Sequence, residues 1–287
     1  MLASVVVVPC YNEEKRLKTG EFRAFVAENP KTAFLFVNDG NTDGTRDLLD
    51  ELNREDSDSF MVLHLERNCG KAEAVRRGMR EASRLQPIYA GYWDADLATP
   101  LVAISEFTDH LDAHPNVEVL FGARVQLMGH RIVRRPLRHY LGRLFATVAS
   151  GVLGISIYDT QCGAKIFRMS SRIDKLFERP FCSRWVFDVE LLARFLNLLR
   201  TGDHDSAHEA IHEIALSRWE DVAGSKVKPL DFFRAIYELW LIHRIEFGKH
   251  VVRPSFPAER TVLSVAGRPE NAPVGSPSQR SSTPLQP

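Results

Sequence analysis

No run of about 18 uninterrupted apolar residues occurs in this 287-residue chain, so hydropathy offers no transmembrane helix. The nearest approach, 141–157, is interrupted by Arg143 and rich in small residues. Cysteine is scarce. Cys10, Cys69, Cys162 and Cys182 lie far apart with no Cys-x-x-Cys pair, so free thiols in a reducing compartment are expected. There is no surplus of either charge: 37 Lys and Arg balance 37 Asp and Glu, which points to neither nucleic acid nor a bulk acidic partner. Internal repeats are absent. Met1-Leu2-Ala3 runs straight into Ser4–Pro9, too short for a secretion signal and better read as a first strand. What is present is an ordinary globular composition, 44% hydrophobic, enough for one large core or two modest ones.

The first half alternates short apolar runs with charged, helix-like segments. Val5–Val8, Ala33–Val37, Met61–Leu65, Tyr89–Trp93 and Val117–Phe121 read as strands. Glu14–Glu28, Gly44–Glu55, Lys71–Leu85 and Leu101–Ala113 read as helices between them. Such alternation, with continuously apolar strands, predicts an α/β fold whose mainly parallel sheet is covered on both faces. Ligands of such sheets sit beyond the carboxyl ends of the strands, at the switch in strand order. From Gly122 the alternation weakens. Residues 131–157 and 229–250 mix Arg and Lys with large apolar groups at helical spacing, which suits either core-facing helices with solvated arginines or helices lying in a membrane interface. Beyond Val251 the chain is rich in Pro, Ser, Arg and Gly and reads as a disordered tail.

The candidate chemistry falls at the strand ends. Asp94 and Asp96 close the run Ile88–Trp93. One residue apart on a strand end, their carboxylates point roughly the same way and suit Mg²⁺ or Mn²⁺ bound together with phosphate oxygens. Taken alone, Asp-x-Asp is a weak signal, because the pattern is common and most copies are solvated turns. Pro9-Cys10-Tyr11-Asn12-Glu13 offers Tyr11 for stacking on a base and Glu13 as an acceptor for base or ribose; it also fits a loop before an acidic helix start. Asp39, within Asn38–Thr45, is placed to accept the imide proton of a pyrimidine, while Thr42 and Asp43 read as a cap for the next helix. Gly70-Lys71 at a helix start offers amides and a cation to phosphate or base, without the upstream glycine of a P-loop. Asp188 and Glu190 cannot share a helix face, so at most one enters a site. Gly224-Ser225-Lys226 fits a phosphate clamp or an ordinary mobile loop.

The order of these segments is more telling than any one of them. Pro-x-Tyr-Asn-Glu-Glu, Asn-Asp-Gly-x-Thr-Asp-Gly-Thr, Arg-Asn-x-Gly-Lys, Asp-Ala-Asp-Leu-Ala-Thr-Pro, Gly-Ala-Arg, Asp-Thr-Gln-Cys-Gly-x-Lys-x-Phe, Trp-x-Phe-Asp-Val-Glu-Leu-Leu and Gly-Ser-Lys-Val together resemble the inverting family 2 glycosyltransferases of GT-A fold. Within that family the chain is most similar to the dolichyl/polyprenyl-phosphate glucosyltransferases, with the polyprenyl-phosphate mannose synthases next. The resemblance implies a Rossmann-like GT-A domain over 1–230, an amphipathic helix over 231–252 and the tail over 253–287. It implies inverting transfer of a hexose from a nucleotide sugar, UDP-glucose before GDP-mannose, to a polyprenyl phosphate with Mg²⁺ or Mn²⁺. A soluble family 2 enzyme with a non-lipid acceptor is the alternative.

By matching positions, Pro9, Tyr11, Glu13 and Asp39 would hold the nucleotide, and Lys71 would lie near the base. Asp94 and Asp96 would flank the diphosphate, Asp96 as principal metal ligand. Arg124 and one of Arg135 or Arg138 would face the acceptor phosphate, with Ser225 and Lys226 closing over it. Asp188 or Glu190 would lie near the sugar hydroxyls, and Asp188 would be the base if the acceptor were a hydroxyl. The chain departs from the family's pattern at Asn38, Ala72 and Ala164. With no spanning helix, a lipid acceptor requires the amphipathic segments to reach the bilayer surface, which makes the expected location cytoplasmic and peripheral on the membrane. A homo-oligomer remains open; no nucleic-acid partner is expected.

Overall fold

The structure, a computed structural model, describes residues 2–133, 136–200, 207–220 and 229–248. Its strands are β1 (Ser4–Cys10), β2 (Thr32–Asp39), β3 (Phe60–Leu65), β4 (Tyr89–Trp93), β5 (Val119–Ala123), β6 (Arg131–Val133), β7 (Ala164–Arg168), β8 (Ile211–Ala215) and β9 (Arg218–Glu220). Its helices are α1 (Thr19–Glu28), α2 (Thr45–Glu55), α3 (Lys71–Arg84), α4 (Val102–Ala113), α5 (Pro136–Leu153), α6 (Ser171–Glu178), α7 (Phe187–Arg200), α8 (Ala207–Ala210) and α9 (Pro229–Phe247).

Seven strands form one sheet in the order β3-β2-β1-β4-β7-β5-β8. All neighbours are parallel except β7, which runs antiparallel to both β4 and β5. β6 and β9 make a separate parallel pair. The central strands are apolar over Val5–Val8, Ala33–Val37 and Tyr89–Trp93 because alternate side chains enter two different cores. Val5, Val7, Leu35 and Val37 pack with Ala74, Val75 and Met79 of α3 and with α7. Val6, Val8, Phe34 and Phe36 pack on the other face with Phe22, Leu49 and Phe107. The strand order turns at β1 and β4, and the carboxyl ends of β1, β2 and β4 open on one side of the sheet.

The mixed, mainly parallel sheet expected from the sequence is the one present. Three local readings are corrected. The chain after Glu13 turns rather than starting a helix, with the amides of Arg16 and Leu17 both bonded to the Glu13 carbonyl, so α1 begins only at Thr19. The fifth strand is shifted to Val119–Ala123 by its pairing with β7 and β8. Residues 131–157 are not one helix: Arg131–Val133 pairs with β9, and α5 starts at Pro136, a residue suited to a first helical turn. The expected tail lies outside the described residues.

α9 is seated on the body through polar and apolar contacts. Leu239 and Ile242 are buried in the α7 core. Ser183 Oγ donates to Glu238 Oε2 at 2.5 Å, and Arg179 pairs with Glu246 at 2.5 Å. Its outer face carries Tyr237 and Trp240, 60% and 50% exposed, with rings stacked at 5.9 Å and Arg244 lying 5.0 Å from the Trp240 ring. Among the described residues no helix is long and apolar enough to cross a membrane.

Candidate active site

A cleft of about 270 Å³ opens where the strand order turns, lined by Pro9, Cys10, Tyr11, Glu13, Asp39, Lys71, Asp94, Ala95 and Asp96. Two loops build one wall. Asn12 adopts a left-handed φ of 56° and bonds across to the second loop, its amide to Asn41 Oδ1 at 2.7 Å and its Oδ1 from the Thr42 amide at 2.9 Å. Asn accepts that conformation more readily than most residues. Glu13 is tied in by its amide to Thr45 Oγ1 at 2.8 Å. Asp43, not Thr42, satisfies the start of α2, accepting from the Thr45 amide at 3.1 Å. Gly40 has φ of 64°, and a Cβ there would lie 2.4 Å from the Arg67 and Asn68 backbone. Only glycine lets these loops close on one another.

Asp39 is clamped on both oxygens. Cys69 donates its amide to Oδ1 at 2.7 Å and Gly70 its amide to Oδ2 at 2.8 Å. Each oxygen keeps a second lone pair for a ligand. Burial raises the Asp39 carboxyl above its ordinary pKa despite those two amides. The same happens at Glu13, where burial outweighs the Arg16 guanidinium 2.5 Å from Oε1, and Asp96 and Asp43 add repulsion. Glu13 Oε2 is buried with no hydrogen-bond partner, an open acceptor at the cleft wall. Asp96 is raised by burial and then by Asp94, and its Oδ1 takes the Ala98 amide at 3.1 Å.

Lys71 opens α3 and reaches Asp94, with Nζ 2.5 Å from Oδ1. Burial works against its charge, yet Asp94, Asp188 and Asp96 hold its pKa above the usual lysine value. Its ammonium therefore lies at the Asp94/Asp96 end of the cleft. Behind Asp94 stands Gly163, whose carbonyl takes the Asp94 amide at 3.1 Å. A Cβ on Gly163 would lie 1.9 Å from Asp94 Oδ2, so this glycine makes room for the carboxylate.

Arg124 and Asp188 stand beside the cleft rather than lining it. Arg124 forks onto Asp159 at 2.6 and 2.8 Å and lies 5.3 Å from the Trp219 ring; Asp159 holds its charge against the cost of burial. Asp188 Oδ1 accepts from Tyr92 Oη at 2.5 Å and from Lys165 Nζ at 2.7 Å. Glu190 points elsewhere: it takes the Cys182 and Ser183 amides at 2.8 and 3.1 Å and pairs with Arg194 at 2.6 Å. Of the two acids, Asp188 is the one close enough to the cleft for its charge to act on Lys71. Arg135, Ser225 and Lys226 lie outside the described residues, as does the Arg138 side chain. Sequence reasoning assigns no role to Gly163 or Lys165; the signal for Lys165 is a lysine between the apolar residues Ala164 and Ile166.

A cleft beyond the carboxyl ends of the parallel strands, with paired carboxylates at a strand end, Lys71 beside them and Tyr11 at the rim, lies where sheets of this class bind their ligands. Residues 5–174 match the model of glycosyl transferase family 2, and the chain belongs to that family. It is a glycosyltransferase. Among its relatives are dolichyl-phosphate beta-glucosyltransferases of Drosophila melanogaster, 32% identical with 82% of this chain and 74% of that one covered, and of Homo sapiens, 32% identical with 78% and 69% covered. That of Saccharomyces cerevisiae is 29% identical, with 77% and 68% covered. Solved structures of like fold include Mycobacterium tuberculosis glucosyl-3-phosphoglycerate synthase with Mn²⁺, UDP-glucose and phosphoglyceric acid, with a TM-score of 0.58 and 16% identity over 86% of this chain and 80% of that one. Another is S. aureus TarS 1–349 with UDP, with a TM-score of 0.52 and 17% identity over 88% and 67%.

Proposed function

We propose that the cleft takes a nucleotide-activated glucose, UDP-glucose, and that the enzyme transfers the glucose with inversion to a dolichyl or other polyprenyl phosphate. The observation that carries this reading is the convergence of Tyr11, Glu13, Asp39, Lys71, Asp94 and Asp96 on one cleft at the turn in strand order. The glucosyltransferase relatives support the sugar and the acceptor class. In this reading Pro9 and Tyr11 bound the base, Asp39 accepts from it, and the open Glu13 Oε2 accepts from ribose.

The acidic set fits a divalent cation. Glu13 and Asp96 are both raised by burial and by neighbouring carboxylates, a repulsion that a cation relieves. Among the described residues no three His, Cys, Asp or Glu side chains form a complete cage, so Asp96 and Asp94 would hold Mg²⁺ or Mn²⁺ together with the donor's phosphates. A bound cation would stabilise the charge of the departing diphosphate. Lys71 adds a fixed positive charge at the same end.

A phosphate acceptor is already anionic at neutral pH, so the chain need not supply a base. Asp188, engaged by Lys165 and Tyr92, acts in this reading as a charge beneath the sugar rather than as a proton acceptor. Arg124, held by Asp159, faces the acceptor phosphate, with Arg135 or Arg138 and with Ser225 and Lys226 completing that side. α5 and α9 rest on the membrane surface, Tyr237 and Trp240 at the headgroup level where amphipathic rings are favoured. A donor comparison tests the reading: UDP-glucose should saturate the enzyme at far lower concentration than GDP-mannose, and the reverse order would move the protein to mannosyl transfer.

A further inference from the structure

A buried ion pair lies behind Asp94. Lys165 is fully buried on β7, opposite Tyr92 of β4, and its three ammonium hydrogens meet three acceptors. These are Thr160 O at 3.1 Å, Cys162 O at 2.7 Å and Asp188 Oδ1 at 2.7 Å. The rings of Tyr92 and Phe121 flank the ammonium at 5.5 and 5.6 Å. A buried ion pair is seldom more stabilising than well-packed apolar side chains of the same volume. Its value lies in geometry: one cation ties the first turn of α7, where Asp188 sits, to the 160–163 turn that enters β7.

That turn ends at Gly163, and Gly163 forms the back of Asp94. The Gly163 carbonyl takes the Asp94 amide, and no side chain fits between the two residues. Asp94 in turn carries Lys71 at 2.5 Å. A continuous chain of contacts therefore runs from Asp188 through Lys165, the 160–163 turn, Gly163 and Asp94 to the Lys71 ammonium.

Resting on the donor-site reading above, we propose that Lys165, paired with Asp188, is a positioning residue for Asp94 and Lys71. It touches no substrate. It fixes the turn against which the Asp94 carboxylate is set, and so directs Asp94 and Lys71 toward the donor's diphosphate. A displacement of about 1 Å in such a group can lower turnover on the order of 10²-fold.

The test is the variant carrying Lys165→Met with Asp188→Asn, which removes both charges and leaves Tyr92 an acceptor. It should melt close to the parent. With UDP-glucose, Mn²⁺ and polyprenyl phosphate its kcat should fall on the order of 10²-fold, further than in Asp188→Asn alone, which removes the charge beneath the sugar but leaves Lys165 on both carbonyls, while the KM for UDP-glucose is little changed. In its crystal structure the Lys71–Asp94 contact of 2.5 Å should be broken. Lys165→Gln keeps an amide donor at the site with a shorter reach to Asp188 and should lower kcat in the same direction with the KM for UDP-glucose little changed, so a double variant that fails to fold still leaves the proposal decided. A folded variant with parental kcat, or with the Lys71–Asp94 contact intact, overturns it. If the parent itself forms no lipid-linked glucose, the functional reading falls, and the crystal structure of the variant alone decides the positioning role.

Discussion

Lys71 Nζ lies 2.5 Å from Asp94 Oδ1, so the first carboxylate of the Asp94/Asp96 pair has an internal counter-ion while the second is met by the Ala98 amide at 3.1 Å. The two acids are chemically unequal although they sit one residue apart. Asp96 is the freer ligand for a divalent cation, and Lys71 competes for Asp94.

Lys71→Met therefore has two opposed effects. Turnover of UDP-glucose should fall by about 10–10²-fold as a fixed positive charge is lost from the diphosphate end. Mn²⁺ should bind more tightly, because its competitor at Asp94 is gone. Calorimetric Mn²⁺ titration of parent and variant checks the second effect; unchanged or weaker binding would contradict it.

The raised carboxyls set the sign of a pH effect. Glu13, Asp39 and Asp96 all sit above their ordinary values, burial being the first cause of each. A carboxyl raised in the folded state favours folding when protonated, so its contribution is complete below the unfolded value of about 4 and is lost as pH rises through the folded value. At neutral pH the ligand-free site is therefore strained by its own charge. Mn²⁺ with UDP should raise the melting temperature more at pH 7.5 than at pH 5, by differential scanning fluorimetry, because the carboxyls carry more charge at the higher pH. Equal shifts at the two pH values would contradict this.

Arg124 presents a two-bond fork to Asp159, at 2.6 and 2.8 Å, which an ammonium does not reproduce. Arg124→Lys should lower kcat/KM for polyprenyl phosphate by about 10–10²-fold and leave the KM for UDP-glucose near the parent's. Steady-state kinetics with each substrate varied in turn separates the two; a loss confined to the donor would put Arg124 on the other side of the site.

The outer face of α9 gives a prediction that leaves the cleft untouched. Tyr237 and Trp240 are exposed, so replacing both with Ala should change stability by no more than about 0.5 kcal/mol per site. Binding to anionic phospholipid vesicles should drop several-fold, about 1 kcal/mol or more, as two interfacial rings are lost. Co-sedimentation measures it, and parental binding by the variant would remove α9 from the membrane contact.

The strand ends were legible because Val5–Val8, Ala33–Val37 and Tyr89–Trp93 are continuous apolar runs that stop at Pro9-Cys10, Asn38-Asp39 and Trp93. The polar residues that follow each stop had to gather on one edge. The floor of the site was not legible in the same way. β7 is five residues long and carries Lys165 among Ala164, Ile166 and Phe167, so neither its antiparallel insertion nor the burial of its lysine follows from alternation. Which partners Asp188 and Glu190 take depends on how α7 is rotated against the sheet. Tyr92 and Lys165 on one side and Arg194 on the other settle that only in three dimensions. Glu14–Glu28 misled because acidic residues suit a helix start, while the Glu13 carbonyl instead closes a turn.

The most direct test of the functional account follows labelled glucose from UDP-glucose into the lipid phase, with Mg²⁺ or Mn²⁺ and a polyprenyl phosphate. The account predicts lipid-linked glucose from the parent and its loss in Asp96→Ala. No lipid-phase product from a parent that binds UDP-glucose, or an Asp96→Ala enzyme as active as the parent, would contradict it.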